Sequence, residues 1–164
     1  MDTKLTLKEY WEEYYEKTQT SKVKISRIVS EYDQLWEILL SQNGANPPKT
    51  ILEIGGYPGR YLAYLSDKFS LVPTCLDYNS DVSKIEECMK IFDVNDYKVL
   101  QTDIFNHQIE KQYDIVISLG FVEHFSDYNQ ILDKHCEYFK PGGTLLIMIP
   151  NKRWLRKWYG YLVD

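Results

Sequence analysis

The sequence predicts an α/β protein built on a doubly wound parallel sheet. Strand-like and helix-like segments alternate from residue 50 to residue 149, as in parallel strands joined by helical crossovers. The runs at residues 115–117 and 144–149 are continuously apolar, which is typical of parallel strands covered on both faces. A glycine-rich turn directly follows the first strand, where open α/β sheets bind their ligands. We therefore expect a Rossmann-like sheet with the strand order 3-2-1-4-5.

Five strands and three crossover helices follow from this alternation. The predicted strands cover residues 50–55, 71–76, 97–101, 113–118 and 144–149. The predicted helices cover residues 59–69, 82–92 and 126–139, the last of them capped by Ser126 or Asp127. The Pro-Gly-Gly segment at residues 141–143 is expected to form a turn before the fifth strand.

Two further helices are predicted before the sheet. Residues 5–17 are rich in aromatic side chains, and residues 24–42 carry an apolar stripe with helical spacing. Asn-Pro-Pro at residues 46–48 predicts a stiff linker. We expect residues 1–48 to form an N-terminal helical segment and residues 49–164 to form the core, with a last helical segment starting at residue 152.

The composition is that of one soluble domain. The chain has 164 residues, of which 44% are hydrophobic, and its net charge of −5 argues against broad nucleic-acid binding. The three cysteines, Cys75, Cys88 and Cys136, have neither disulfide-framework nor metal-site spacing, so no metal is expected. No run approaches the ~20 apolar residues of a membrane span, and the N-terminus lacks an apolar signal core. These features predict a cytoplasmic protein with reduced cysteines.

The glycine-rich turn at residues 53–59 is the first candidate site. Its glycines let the backbone turn sharply, and the N-terminus of the following helix favours an anionic or polar ligand group. A dinucleotide fingerprint starting at Gly55 would need glycine where Tyr57 and Arg60 stand, and no P-loop lysine is present. The turn therefore predicts a nucleotide-like ligand of another class.

Acidic or small residues stand at the ends of the predicted strands. Glu53 ends the first strand, Asp77 the second and Asp103 follows the third, while residues 118–120 (Ser-Leu-Gly) end the fourth. The ends of parallel strands meet along one crevice, so we expect these residues to lie together. A carboxylate accepts two hydrogen bonds from a vicinal diol, which makes Asp77 a candidate ribose ligand.

Five segments in sequence order resemble the motifs of class I S-adenosylmethionine-dependent methyltransferases. They are Glu53-x-Gly55-x-x-x-Gly59, Leu76-Asp77-Tyr78-Asn79, Gln101-Thr102-Asp103-Ile104-Phe105, the run from Tyr113 to Phe125 with its Glu-His pair, and Phe139-Lys140-Pro141-Gly142-Gly143-Thr144-Leu145-Leu146. The resemblance covers about residues 50–151. Family members carry a further glycine where this chain has Tyr57, whose side chain is expected to crowd the cofactor side of the loop.

The resemblance implies S-adenosylmethionine as the cofactor and a small molecule as the methyl acceptor. The cofactor-binding positions that it implies are Glu53, Gly55, Gly56, Tyr57 and Gly59 for the methionine end, Asp77 for the ribose with Tyr78 beside it, Asp103 and Ile104 for the adenine, and Ser118, Leu119 and Gly120 beside the sulfonium. It also implies that the N-terminal segment folds over the cofactor.

Methyl transfer from a sulfonium needs alignment and exclusion of water more than it needs an acid. Where the acceptor must lose a proton, His124 is the candidate base and Glu123 the residue that orients it. The alternative is that this Glu-His pair is architectural. For the whole chain, the alternative to an enzyme is a cofactor-binding or interaction protein that retains the fold without catalysis.

The end of the sequence raises a separate expectation. Family members add two strands after the fifth, whereas this sequence ends at Asp164. Because an uncovered edge strand is a liability, we expect either a truncated piece of a longer protein or a homodimer across that edge. Residues 152–159 carry four cations among aromatics, and the alternatives are contact with an anionic surface or an ordinary basic helix face.

Overall fold

A computed structural model describes residues 21–40 and 49–150 of the chain. The predicted helix over residues 5–17, the Asn-Pro-Pro linker and the helical segment from residue 152 lie outside the described residues. None of the helices in the described part is long and apolar enough to cross a membrane.

The predicted single helix over residues 24–42 is wrong, because a short 3₁₀ turn divides it. Helix α1 covers Lys22–Val29, the 3₁₀ turn Ser30–Tyr32 and helix α2 Asp33–Leu40. A 3₁₀ turn has three residues per turn, so it rotates the apolar stripe out of phase. The stripe positions Tyr32 and Leu35 are accordingly 41% exposed. The indole of Trp36 spans the break and donates a hydrogen bond of 3.0 Å to the Val29 carbonyl.

The sheet has the predicted order and direction. Its five strands run β3-β2-β1-β4-β5, and every neighbouring pair is parallel. The strands are β1 Thr50–Ile54, β2 Val72–Asp77, β3 Lys98–Gln101, β4 Tyr113–Leu119 and β5 Phe139–Met148. The prediction of a doubly wound α/β fold is therefore confirmed.

Three helices connect the strands and cover both faces of the sheet. They are α3 Arg60–Phe69, α4 Ser83–Ile91 and α5 Tyr128–Tyr138. Successive strand residues point to opposite faces, and so Ile51 packs in the core with α1 to α4, whereas Leu52 packs in the core with α5. The carboxylate of Asp127 caps α5 by accepting the Gln130 N–H at 3.0 Å.

Strand β5 contains an irregularity where a turn was predicted. It begins at Phe139, which pairs with Tyr113, but the next register pair is Ile115 with Thr144. The residues between bulge out of the ladder, and Gly142 among them has φ +78°, a conformation that glycine adopts readily. The Pro-Gly-Gly segment is thus a bulge within the strand rather than a turn that precedes it.

Candidate active site

The carboxyl ends of the strands open into a cavity of about 230 Å³, as the parallel topology requires. The loops after β1, β2, β3 and β4 form one side of this cavity, and α1 forms part of the other. Eleven of the predicted site residues line it, namely Glu53, Gly55, Gly56, Tyr57, Asp77, Tyr78, Asp103, Ile104, Leu119, Gly120 and His124.

The glycine loop is shaped by close packing on both of its sides. Gly55 has φ +69°, and a Cβ at this position would overlap the ring of Phe121. Gly59 has φ +87° and is the N-cap of helix α3; a Cβ there would lie 3.3 Å from the Cα of Ile85. Side chains other than hydrogen are disfavoured at both positions. Gly59 does not line the cavity, so its role is to let α4 approach the loop.

Tyr57 contributes a wall to the cavity instead of filling it. Its side chain is only 9% exposed and packs into the core shared with α1, α2 and α3. Its backbone N–H points to β2 and donates a hydrogen bond of 3.1 Å to the Asp77 carboxylate. The side chain of Tyr57 therefore lies in the wall of the cavity, and the crevice beside the glycine loop stays open.

Glu53 is a buried carboxyl group at the end of β1. It is 3% exposed, and its Oε2 accepts the Leu62 N–H at 3.2 Å. The pKa of Glu53 is raised to about 8, mainly by burial; the Leu62 hydrogen bond lowers it and the nearby Asp77 raises it by smaller amounts. A buried carboxyl in this state is suited to a cationic ligand group, which would compensate the cost of ionisation.

Asp77 is held by two backbone donors from different loops. Its Oδ2 accepts the Tyr57 N–H at 3.1 Å, and its Oδ1 accepts the Asn79 N–H at 2.8 Å. Each carboxylate oxygen can accept a second hydrogen bond. The carboxylate is therefore preorganised between the glycine loop and the loop after β2, in the wall of the cavity.

Asp103 and Ile104 form the next part of the wall, after β3. The Oδ1 atom of Asp103 accepts the Phe105 N–H at 3.0 Å, which fixes the loop. Ile104 is 2% exposed and packs in the α5-side core. A carboxylate beside an apolar side chain provides one hydrogen-bond acceptor and one flat contact surface for a ligand ring.

Ser118 is not brought into the cavity. Its side chain is fully buried, and its Oγ has no hydrogen-bond partner among the described residues. Strand alternation places it on the same face as Val116, which packs against the α5 side. Leu119 and Gly120 do line the cavity, and the Gly120 N–H donates to the Met148 carbonyl at 2.8 Å.

The Glu-His pair lies in a 3₁₀ turn, Val122–His124, after β4. His124 lines the cavity and Glu123 does not. The His124 Nε2 atom lies 4.0 Å from the Glu123 Oε1 atom, which is beyond hydrogen-bond distance. The second carboxylate oxygen of Glu123 is buried without a partner among the described residues. The imidazole therefore borders the cavity, whereas the carboxylate does not.

Several lining residues were not predicted from the sequence as site residues. Helix α1 contributes apolar side chains, α3 contributes a cation and a phenol, and the loop after β4 contributes two aromatic rings. They are Ile25, Ile28, Val29, Arg60, Tyr61, Phe121 and Phe125. Helical periodicity signalled that the α1 residues are buried, but it carries no information on where the buried face borders a cavity.

Comparison with known proteins agrees with this geometry. The model of a family described as "Methyltransferase domain" matches residues 27–164. The chain belongs to this methyltransferase family. The match covers the strands and loops that surround the cavity, together with the last three residues of α1 and all of α2.

Individual relatives of this methyltransferase domain are distant. A ubiquinone biosynthesis O-methyltransferase from Bartonella tribocorum is 27% identical over 85 residues, which is 52% of this chain and 33% of the relative. Coclaurine N-methyltransferase, solved with N-methylheliamine and SAH, superposes with a TM-score of 0.61 at 19% identity, covering 79% of this chain and 37% of that one.

A methyltransferase from Thiobacillus denitrificans, solved with S-adenosyl-L-homocysteine, gives a TM-score of 0.63 at 12% identity over 86% of this chain and 55% of that one. At these identities the structures establish a shared fold. The chain spans about a third of the length of the curated relative and about a third to a half of these solved chains.

Proposed function

We propose that this methyltransferase domain transfers the methyl group of S-adenosylmethionine to an oxygen, nitrogen or carbon atom of a small-molecule acceptor. One observation carries the proposal. Three carboxyl groups, those of Glu53, Asp77 and Asp103, stand at three successive strand ends and line the same cavity. The cofactor has three groups that carboxylates bind, namely the methionine ammonium, the ribose diol and the adenine amino group.

The order of these carboxyl groups matches the cofactor from end to end. Glu53 would pair with the ammonium of the methionine end, next to the loop of Gly55 and Gly56. Asp77, fixed by its two backbone donors, would accept both ribose hydroxyls, and Tyr78 borders the same part of the cavity. Two of the similar structures were solved with S-adenosyl-L-homocysteine or SAH, which supports this cofactor class.

The remaining cavity wall suits an acceptor with an apolar body. Ile25, Ile28 and Val29 of α1 line the cavity, so α1 excludes water from the reacting atoms. The protein would align the acceptor atom with the sulfonium methyl group beside Leu119 and Gly120. The participation of α1 also supports the proposal that residues 1–48 act as a cover for the core at residues 49–164.

His124 is the group proposed to take a proton from a hydroxyl or ammonium acceptor, because it is the imidazole in the cavity wall. Glu123 would act on His124 from outside the cavity, through charge rather than through a hydrogen bond, at 4.0 Å. Gly59 and Ser118 are assigned packing roles. A cytoplasmic location and a homodimer across β5 stay predictions.

The test is methyl transfer by the full-length protein to a panel of phenols, amines and carbon acids, followed by the formation of S-adenosyl-L-homocysteine. Methylation of one class of acceptor by the wild type, abolished in Asp77→Ala, supports the proposed methyltransferase activity. Tight cofactor binding without turnover of any class supports the alternative, a cofactor-binding protein without catalysis. Failure to bind the cofactor contradicts both and supports the other form of the alternative, an interaction protein that retains the fold.

A further inference from the structure

We propose that cofactor binding displaces one proton from Glu53, so that the pH of the solution controls the affinity of the site. The proposal rests on the proposed function, because it requires a ligand with a cationic group at the Glu53 end of the cavity. It concerns how this site is regulated, which depends on side chains packed around Glu53.

Glu53 is a buried carboxyl group that the described part of the chain does not pair with a cation. It is 3% exposed, and among the described residues it forms no ion pair with lysine, arginine or histidine. Arg60 lines the same cavity, but the pKa of Glu53 is set by burial, by the Leu62 N–H and by Asp77. The Leu62 N–H is its hydrogen-bond donor, at 3.2 Å. A buried carboxylate without a cation is costly, and the neutral acid is the favoured form.

Strand β2 and helices α3 and α4 place titratable groups next to Glu53. Asp77 from β2 is acidic and raises the pKa of Glu53. Burial raises the pKa of the Cys75 thiol on β2, the Cys88 thiol on α4 and the Tyr61 phenol on α3, so all three are uncharged at neutral pH. These four neighbours are negative or neutral, which favours the protonated carboxyl.

The cavity gives a cationic ligand access to Glu53. When the methionine ammonium enters, the Glu53 O–H bond breaks, the proton leaves to the buffer, and the carboxylate pairs with the ammonium. No oxidant or other reactant takes part. With a pKa of about 8 in the free protein, Glu53 is about nine-tenths protonated at pH 7, so binding releases about 0.9 proton there.

Calorimetric titration with S-adenosyl-L-homocysteine in three buffers of different ionisation enthalpy measures this number directly. The slope of the binding heat against the ionisation enthalpy of the buffer gives the number of protons released per ligand. For the wild type, Glu53 is expected to contribute about 0.9 proton at pH 7 and about 0.1 proton at pH 9. The affinity is expected to rise about tenfold from pH 6 to pH 7 and to level off above pH 8.

Glu53→Gln is the matched control, because it keeps the size of the side chain and cannot ionise. The variant is expected to bind more weakly and to release no proton at pH 7. The ammonium of the ligand titrates equally in both experiments, so the difference between the proteins reports Glu53. His124→Gln removes the imidazole that lines the same cavity. This variant is expected to release the same number of protons as the wild type.

The outcomes are distinct. Binding by the wild type with a heat that does not depend on the buffer overturns this proposal and leaves the proposed function intact. Release that persists in Glu53→Gln, or disappears in His124→Gln alone, assigns the proton to another group and also overturns it. No binding by folded wild-type protein overturns the proposed function itself. If Glu53→Gln fails to bind, the wild type and His124→Gln still decide the matter.

Discussion

Glu53→Gln is expected to make the folded chain more stable at pH 8, although it weakens the proposed cofactor site. The pKa of Glu53 is about 8 in the folded protein against an ordinary value of 4.5. Between these values the folded chain holds a proton that the unfolded chain has lost. The free energy of unfolding therefore has its full value below pH 4.5 and falls as the pH rises toward 8.

The size of the effect follows from the two pKa values. One pKa unit corresponds to about 1.4 kcal/mol, so the loss of stability reaches about 3 kcal/mol at pH 7 and about 4 kcal/mol at pH 8. At pH 5 it is about 1 kcal/mol. Glutamine does not titrate, and its amide oxygen can still accept the Leu62 N–H. The gain from Glu53→Gln is thus expected to grow by about 3 kcal/mol between pH 5 and pH 8.

Urea unfolding of both proteins at pH 5, 6, 7 and 8 measures this difference. Any misfit of the amide shifts the stability curve of Glu53→Gln by the same amount at every pH. The informative quantity is therefore how the difference in unfolding free energy between the two proteins changes with pH. All other titrating groups are common to both proteins and cancel. Parallel stability curves for wild type and Glu53→Gln would show that Glu53 is not a buried neutral acid, and the reasoning about its ligand would fail with them.

Three further changes test other parts of the account. Asp114 accepts hydrogen bonds from Thr50 and Lys140. Burial raises the pKa of Asp114, but these bonds together outweigh burial and leave the pKa lowered to about 2. Its stabilisation is therefore present above pH 4 and lost as the pH falls through 2, and Asp114→Asn is expected to cost about 1–2 kcal/mol in urea unfolding at pH 7 and little at pH 2. An equal cost at both pH values would contradict this. Gly55→Ala is expected to lower stability by about 1–3 kcal/mol, because the methyl group overlaps the Phe121 ring and φ is +69°. Thermal melts should show partial recovery in Gly55→Ala with Phe121→Ala, and an unchanged melting temperature for Gly55→Ala alone would refute the overlap. His124→Gln is expected to reduce kcat for a hydroxyl acceptor by about 10²–10⁴ with little change in cofactor Kd; a loss of cofactor affinity or stability with unchanged kcat would identify an architectural role instead.

The sheet and the strand-end acids were predictable because they depend on local patterns. Apolar runs mark the strands, and parallel topology brings Asp77 and Asp103 to the same edge. The face of the sheet on which the Ser118 side chain lies was not predictable in this way. Its face depends on the parity of positions along β4, and a difference of one residue turns a side chain to the opposite side of the sheet.

The break between α1 and α2 was also outside the reach of periodicity. Ser30–Tyr32 contains no glycine or proline, so nothing local stops the helix. The 3₁₀ turn goes together with a tertiary contact, in which the Trp36 indole donates to the Val29 carbonyl. The same limit explains why the lining role of Ile28 was missed, because the position of the cavity along α1 is set by how the helix packs on the loops.

Calorimetric titration of the wild type with S-adenosylmethionine and S-adenosyl-L-homocysteine measures whether this cavity binds the cofactor. Asp77→Ala is the test variant, and Asp77→Asn is its control for size, with circular dichroism confirming that both are folded. Asp77 is expected to accept two ribose hydroxyls, and hydrogen bonds to a charged group contribute about 1.5–3 kcal/mol each. Micromolar binding that weakens at least about 100-fold in both variants is the predicted result. Absence of binding by folded wild-type protein, or equal affinity in Asp77→Ala, would contradict the assignment of this cavity to the cofactor.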